Sequence, residues 1–236
     1  MKNKKTKLQI LYEDNHLIVI NKPAGILVQG DKTGDEPLTE YIKKYLKKKY
    51  NKPGNVFLGL PHRLDRPTSG VLVLAKTSKA LTRLNKIFQN NEAKKIYWAI
   101  VDKKPPKNTD ILEHYLKKNQ QKNKSFAYEK PIKGSKKAIL EYKLKAKSDH
   151  YYLLEITLHT GRHHQIRAQL AKIGIHIKGD LKYGARRSNP DGSIALHARS
   201  ISFIHPVKKE PMTFIAPVPE DKLWKFFENK IAQKRK

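Results

Sequence analysis

Short apolar runs, rich in β-branched residues and separated by polar turns, constrain the fold of this chain more than any other feature of its sequence. Residues 8–12 and 17–20 flank the turn Glu13-Asp14-Asn15, which predicts a β-hairpin. Residues 138–144 and 151–158 alternate between apolar and polar side chains, which predicts an antiparallel pair. Further strands are predicted at residues 26–29, 56–60, 71–75, 96–101, 194–204 and 212–215.

Apolar residues at helical spacing predict helices at residues 38–50, 78–88, 160–173 and 219–231. Ser78 is expected to cap the second of these helices, and Thr160-Gly161 the third. Helices and strands do not alternate as βαβ units, so the pattern predicts one α+β domain on a mixed, mainly antiparallel β-sheet flanked by helices. The domain is expected to cover residues 8–228, between basic tails at residues 1–7 and 229–236.

Two polar, lysine-rich segments, residues 103–110 and 117–124, are interpreted as connectors. A domain boundary within residues 103–124 would leave each half with a thin core, because core size falls with domain size. One domain is therefore favoured over two.

The charge of the chain points to a polyanionic partner. The sequence holds 50 Lys and Arg against 21 Asp and Glu, a formal net charge of +29. Such a surplus destabilises a compact state by self-repulsion, so folding does not explain it. Nucleic acid is the commonest polyanion, and its phosphates attract lysine and arginine without regard to sequence. A general bias of the organism towards lysine is the alternative explanation.

Several classes of protein are excluded by composition. The chain has no Cys, which excludes disulfides, zinc ribbons and thiol nucleophiles. Its clean apolar stretches, such as residues 71–75, are far shorter than the ~20 residues of a membrane-spanning helix. Polar residues 13–16 interrupt the apolar segment that a signal peptide would need, so a cytoplasmic protein is expected.

The familiar catalytic templates are absent from the sequence: no G-x-S-x-G, H-E-x-x-H, P-loop or G-x-G-x-x-G occurs. His163 and His164 are adjacent and would point about 100° apart on a helix, which disfavours a shared metal. No metal site is predicted.

One acidic residue, Asp65, lies in a basic neighbourhood between Arg63 and Arg66. Nearby guanidinium groups favour the ionised carboxylate, which could then act as nucleophile or base. The alternative is an Asp that caps a turn or forms a surface ion pair. A second basic cluster occupies residues 160–167, where Arg167 follows His163 by one helical turn. Taken alone, this pattern is typical of a phosphate-binding helix start.

The run His62-Arg63-Leu64-Asp65, followed by Thr68-Ser69-Gly70, resembles the catalytic motif of RNA pseudouridine synthases of the RluA type. The resemblance extends in the family's order from about residue 8 to residue 227. Other segments that are similar to family motifs are residues 11–25, 94–99, 161–167, 174–184, 196–198, 203–206 and 214–217. The resemblance implies a pseudouridine-synthase-like domain.

The resemblance also implies conversion of uridine to pseudouridine in structured RNA, with no cofactor and no metal. Asp65 would be the catalytic carboxylate, and attack at C1′ of the ribose or at C6 of the ring both remain open. Arg167 would form the ion pair that holds Asp65 in place. Tyr97 would stack on the uracil and could handle the C5 proton.

The remaining implied residues concern RNA. Arg63 would help to fill the stack vacated by the flipped base, and His62, Arg162 and Lys76 would contact the RNA backbone or brace loops. Only residues 1–7 precede the family's opening segment, so the N-terminal RNA-binding domain of many relatives is not expected. Ribosomal RNA is favoured as the partner over transfer RNA, and a monomer is expected.

The alternative to an enzyme is a non-catalytic RNA- or ribosome-binding protein on the same fold. Such a protein would be expected to have lost Asp65, Tyr97 or Arg167, and all three are present.

Overall fold

A computed structural model of the chain describes residues 8–31 and 34–233. The predicted basic tail at residues 1–7 lies outside the described residues. The described residues form two compact units that interleave along the sequence. The first unit takes the residues up to Ala93 together with Ile201–Pro217, and the second takes Lys94–Ser200 together with the residues from Val218 onward. A boundary within residues 103–124 is not observed, because that segment lies wholly inside the second unit.

The strands, in chain order, are β1 (Gln9–Glu13), β2 (Leu17–Lys22), β3 (Ser69–Ala75), β4 (Lys94–Val101), β5 (Thr109–Asn119), β6 (Lys124–Tyr128), β7 (Lys136–Lys147), β8 (Tyr152–Leu158), β9 (Leu196–Ile204) and β10 (Pro211–Ile215). The helices are α1 (Leu38–Lys49), α2 (Ser78–Gln89), α3 (Gln165–Lys172) and α4 (Lys222–Gln233), with a 3₁₀ turn at Leu181–Tyr183. The α+β class and the mainly antiparallel sheet are therefore confirmed.

In the first unit the strand order is β1-β2-β3-β9, with β10 paired to β9. The predicted hairpin is confirmed as the antiparallel pair β1–β2. Its turn is held by Asp14, whose carboxylate accepts the backbone N–H groups of His16 at 2.8 Å and Leu17 at 2.7 Å. The adjoining strand β3 is buried along its whole length. The loop that contains Asp65 therefore leads into a buried strand.

Three predictions in the first unit need correction. No strand forms at residues 26–29, because the carbonyls of Leu27 and Val28 accept the first backbone N–H groups of α1, from Leu38 and Thr39. Thr77, not Ser78, caps α2: its hydroxyl accepts the Ala80 N–H at 3.2 Å. Residues 56–60 contribute only an isolated bridge, between Gly59 and Ala75.

In the second unit the strand order is β9-β4-β8-β7-β5-β6. The predicted antiparallel pair is confirmed as β7–β8. The segment 117–124, interpreted as a connector, is instead the end of a β-hairpin made by β5 and β6. Helix α4 continues to Gln233, past the expected end of the domain at residue 228. None of the helices within residues 8–31 and 34–233 is long and apolar enough to cross a membrane.

Candidate active site

Asp65 lies in the loop that leads into β3, in the first unit. Its carbonyl accepts the Thr68 N–H at 3.0 Å, which closes a turn with the carboxylate half-buried at its start. Arg63, two residues earlier, is exposed. Arg66, the residue after Asp65, is held by two contacts. Its Nε donates to the Gly25 carbonyl at 2.9 Å, and its guanidinium pairs with Asp35 at 2.8 Å.

A buried cation lies beneath this turn. Lys22, the last residue of β2, is fully buried, and its ammonium donates to the carbonyls of Pro23 at 2.9 Å, Arg66 at 3.2 Å and Thr68 at 2.8 Å. Burial lowers the pKa of Lys22 to about 7, although the Asp65 carboxylate acts in the opposite direction. Lys22 therefore ties the backbone on the C-terminal side of Asp65 to the end of β2.

His62 braces the same loop from its N-terminal side. Its Nε2 accepts the Val73 N–H of β3 at 3.0 Å, and its ring stacks on Phe88 of α2 with centroids 4.5 Å apart. These two contacts hold the His62 side chain between β3 and α2.

Lys76 is buried and contacts residues of the β1–β2 hairpin. Its side chain is only 8% exposed, and its ammonium contacts the Glu13 carboxylate at 2.8 Å and donates to the Asp14 carbonyl at 2.6 Å. Burial raises the pKa of Glu13, but hydrogen bonds from Lys49, Lys76 and two tyrosines outweigh it and bring the pKa down to about 2. Glu13 thus stays ionised and holds the end of β3, through Lys76, to β1 and α1.

Arg167 lies in the first turn of α3, in the second unit. The helix begins at Gln165, later than predicted, and His164 before it has a left-handed backbone with φ of 53°. Gln165 stabilises this entry because its side-chain oxygen accepts the Arg162 N–H at 2.9 Å and the Thr160 hydroxyl at 2.8 Å. His163 and Arg167 are therefore not one turn apart on a helix, and Thr160-Gly161 is not the cap.

The guanidinium of Arg167 is held by a carboxylate that the sequence analysis did not single out. Asp180 receives Nε at 2.7 Å and Nη2 at 2.8 Å, one contact on each oxygen, and both side chains are buried. The guanidinium also lies over the ring of Tyr183, 4.9 Å from its centroid. A bidentate pair of this kind fixes both the position and the plane of the guanidinium.

The backbone before Asp180 admits only glycine. Gly179 has φ of +89°, and a Cβ there would lie 2.7 Å from the carbonyl oxygen of Ser193. A side chain at residue 179 would therefore displace the backbone next to Asp180.

Two histidines pack beside Arg167. His163 and His164 stack with ring centroids 3.8 Å apart, so the expected divergence of their side chains is wrong, because both precede the helix. Burial, with the neighbouring charge of Arg167, lowers the pKa of His164 to about 2, and its Nδ1 lies 2.9 Å from the Tyr183 hydroxyl. No cluster of three or more metal-ligating side chains occurs within the described part of the chain.

The other predicted residues of the second unit lie on separate elements. Tyr97 is on β4, opposite Ile156 of β8, and packs half-buried against the core of that unit. Arg162 is exposed in the turn before α3, with its Nε donating to the Lys137 carbonyl at 3.0 Å. It is thus placed to present its guanidinium at the surface.

Comparisons with known proteins agree on one family. A family model described as RNA pseudouridylate synthase matches residues 16–172. Ribosomal large subunit pseudouridine synthase C of Buchnera aphidicola subsp. Schizaphis graminum is 37% identical over 219 residues, which cover 89% of this chain and 67% of that protein. An uncharacterized RNA pseudouridine synthase of Zymomonas mobilis is 33% identical over 213 residues, 90% of this chain and 94% of that protein.

Among solved structures, Human RNA Pseudouridylate Synthase Domain Containing 4 matches with a TM-score of 0.75 at 22% identity, covering 95% of this chain and 93% of that chain. This likeness shows the fold. The chain spans about two thirds of the length of several curated relatives that it matches.

Proposed function

This chain belongs to the RNA pseudouridylate synthase family, and we propose that it isomerises uridine to pseudouridine in structured RNA with Asp65 as its catalytic carboxylate. One observation carries the choice of Asp65. The backbone just after this residue is held by two carbonyl contacts, from Arg66 and Thr68, to the buried Lys22 ammonium, within the motif that resembles the family's catalytic segment. A carboxylate on a fixed backbone is suited to attack at one defined atom.

The reaction breaks the C1′–N1 glycosidic bond, turns the uracil and joins C5 to C1′. The C5 proton is lost and N1 gains a proton, so the product is an isomer of the substrate. Asp65 either attacks C1′, as carboxylates do in glycoside hydrolysis, or adds to C6 of the ring. Both routes need an ionised carboxylate.

Arg167 and Tyr97 are proposed to assist this carboxylate. Arg167 acts as its counter-ion, and support comes from the way that Asp180 and the Tyr183 ring orient the guanidinium in advance. Tyr97 stacks on the uracil and takes part in moving the C5 proton.

The substrate is proposed to be ribosomal RNA of the large subunit. Support comes from the names of two relatives, ribosomal large subunit pseudouridine synthases C and D, of which the second is 32% identical over 224 residues. Taking a base out of a stack costs a few kcal/mol, least where it is unpaired, so the target uridine is expected in a loop or bulge. The exposed Arg63 is available to fill the vacated position.

The test is release of tritium from RNA labelled at uridine C5. Unmodified ribosomal RNA and transfer RNA are supplied separately to the wild type, to Asp65→Ala and to Asp149→Ala, a control in an exposed turn. We expect release from ribosomal RNA with the wild type and the control, and none with Asp65→Ala, whose RNA affinity stays within several-fold of wild type. Full activity of Asp65→Ala would refute the assignment of Asp65. Salt-sensitive RNA binding without release from either RNA would instead favour a non-catalytic binding protein.

A further inference from the structure

The hairpin made by β5 and β6 forms the edge of the sheet in the second unit. Its two strands pair from Tyr115 opposite Tyr128 to Asn119 opposite Lys124. One face carries Leu116 and Ser125, both buried, and packs towards α3. Because side chains alternate along a strand, the opposite face carries a different set. That set, which we call the hairpin surface, is Tyr115, Lys117, Asn119, Lys124, Phe126 and Tyr128.

Carboxylates do not neutralise the lysines of this hairpin. Among the described residues, no Asp or Glu forms an ion pair with Lys117, Lys118, Lys122 or Lys124, whereas the nearby Glu113 and Glu129 pair with lysines elsewhere. Cations this close together repel one another, so their clustering opposes folding. A bound polyanion would offset that cost.

Aromatic rings lie among these cations. Phe126 is 37% exposed and Lys124 lies over its ring, with the ammonium 5.6 Å from the centroid. Phe126 and Tyr128 line a surface cavity of about 450 Å³, together with Lys117, Lys118 and the polar side chains of the hairpin end. Lysines interleaved with exposed rings are the pattern by which proteins hold single-stranded nucleic acid, with phosphates on the cations and bases on the rings.

The hairpin is also fixed to the surroundings of Arg167. The Ser125 N–H donates to the Tyr183 hydroxyl at 2.8 Å, and Ser125 Oγ lies 2.9 Å from Nδ1 of His163. The ring of Tyr183 is in turn approached by the Arg167 guanidinium and by the Lys124 ammonium, which lies 4.8 Å from its centroid. RNA bound on the hairpin would therefore be held in a fixed relation to α3.

From these observations we infer that the hairpin surface binds unpaired nucleotides of the substrate RNA, with Lys117 and Lys124 contacting phosphates and Phe126 stacking on a base. The inference rests on the proposed function for the identity of the RNA as substrate. Binding itself can be measured apart from catalysis, so the two can fail separately.

The experiment measures fluorescence polarisation of a labelled single-stranded oligouridylate over a series of salt concentrations. The charge variant is Lys117→Gln with Lys124→Gln, and its matched control is Lys103→Gln with Lys104→Gln, two exposed lysines of the same unit. Removing one lysine–phosphate contact lowers the slope of log affinity against log salt by about 0.7 for single strands. We expect the slope to fall by about 1.4 for the charge variant, since two such contacts are removed, and to stay unchanged for its control.

The stacking variant is Phe126→Ala, with Ile111→Ala as its control, because Ile111 is an exposed apolar residue on the same hairpin. Removing the ring beneath one stacked base raises the Kd by about 5-fold or more. We expect this rise for Phe126→Ala, recovery by Phe126→Trp, and less than a twofold change for Ile111→Ala.

The inference would be overturned if the hairpin variants and their controls bound RNA equally well. It would also be overturned if the hairpin variants lost as much affinity for polyglutamate as for RNA, because that result points to an acidic protein as the partner. Urea unfolding of each variant identifies any that lose binding by losing structure. Tritium release is measured on the same preparations. Selective loss of RNA binding in a protein that releases no tritium would support the hairpin surface while the proposed reaction fails.

Discussion

Asp180→Asn tests whether the buried carboxylate fixes Arg167. In the wild type each oxygen of Asp180 accepts one N–H of the guanidinium, at 2.7 and 2.8 Å. An amide of the same shape keeps one acceptor and turns the other into a donor that faces an N–H group. The variant therefore loses one hydrogen bond, removes the Asp180 charge from beside the Arg167 guanidinium and adds a donor–donor repulsion.

The size of the effect follows from burial. The Asp180 side chain is 2% exposed and that of Arg167 is 5% exposed, so water cannot replace the carboxylate. Breaking a buried ion pair from one side typically costs about 3–5 kcal/mol. Since the amide keeps one acceptor, we expect a loss of about 3 kcal/mol in the free energy of unfolding, which leaves a typical domain folded.

Activity should fall further than stability alone explains. Without two fixed hydrogen bonds the guanidinium can move, and a shift of about 1 Å in a catalytic group typically costs about 100-fold in rate. We expect that loss in kcat for tritium release, with the KM for RNA within several-fold of wild type. Urea unfolding and tritium release are compared with Asp149→Asn as the control. A change below about 1 kcal/mol together with wild-type kcat would refute the reasoning.

Two further variants probe the supports of the site. Burial lowers the pKa of Lys22 to about 7, while the unfolded chain keeps that proton up to about pH 10.5, so this residue makes the wild type gain stability as pH rises between those values. Lys22→Met should remove up to about 1.4 kcal/mol per pH unit from that slope in urea unfolding, and an unchanged slope would show that Lys22 does not titrate there. Gly179→Ala should lower the unfolding free energy and the rate of tritium release more than Gly192→Ala does, because both have positive φ but only at Gly179 would the Cβ meet backbone, at 2.7 Å from Ser193. Equal effects of the two glycine variants would show that backbone conformation, not the close approach, is what matters.

The strands that alternate in hydrophobicity could be predicted from the sequence, whereas the start of α3 could not. Apolar spacing suggested a helix from residue 160, but the hydroxyl of Thr160 accepts the Ile139 N–H at 2.9 Å. The backbone N–H groups of His159 and Thr160 both donate to the Ile139 carbonyl at 3.2 Å. These hydrogen bonds with β7 hold residues 159–160 against the sheet, so tertiary pairing overrides the local helical pattern.

The β5–β6 hairpin was missed for a related reason. Its composition near residues 117–124 is that of a connector, because the outward face carries lysines. What makes it a hairpin is the inward face, where Leu116 packs in one apolar cluster with Ala168 of α3 and with Tyr183 of the 3₁₀ turn. A short-range sequence pattern cannot reveal these packing partners, because they are distant from the hairpin in the sequence.

The sequence was enough to name candidates for the reactive residues, but not the residues that support them. Asp65 and Arg167 stood out because each lies in a short motif whose residue types suggest chemistry. Lys22 and Asp180 lie in segments that also resemble the family, yet no role followed from them. Their roles depend on hydrogen bonds between residues separated by 46 and 13 positions, which no local pattern encodes.

Lys22 and Asp180 each place an ionisable group where water cannot reach it. A buried charge is stabilising only when its hydrogen-bonding groups are fully used, and well-packed apolar residues often serve stability as well. Lys22 uses three backbone carbonyls, and Asp180 uses two guanidinium N–H groups. What these arrangements provide beyond packing is direction: one fixes the backbone after a carboxylate, the other fixes the plane of a cation. On the proposed roles of Asp65 and Arg167, their substitution should therefore affect those two groups first, which is why kcat for Asp180→Asn is expected to fall by more than the fraction of unfolded protein can explain.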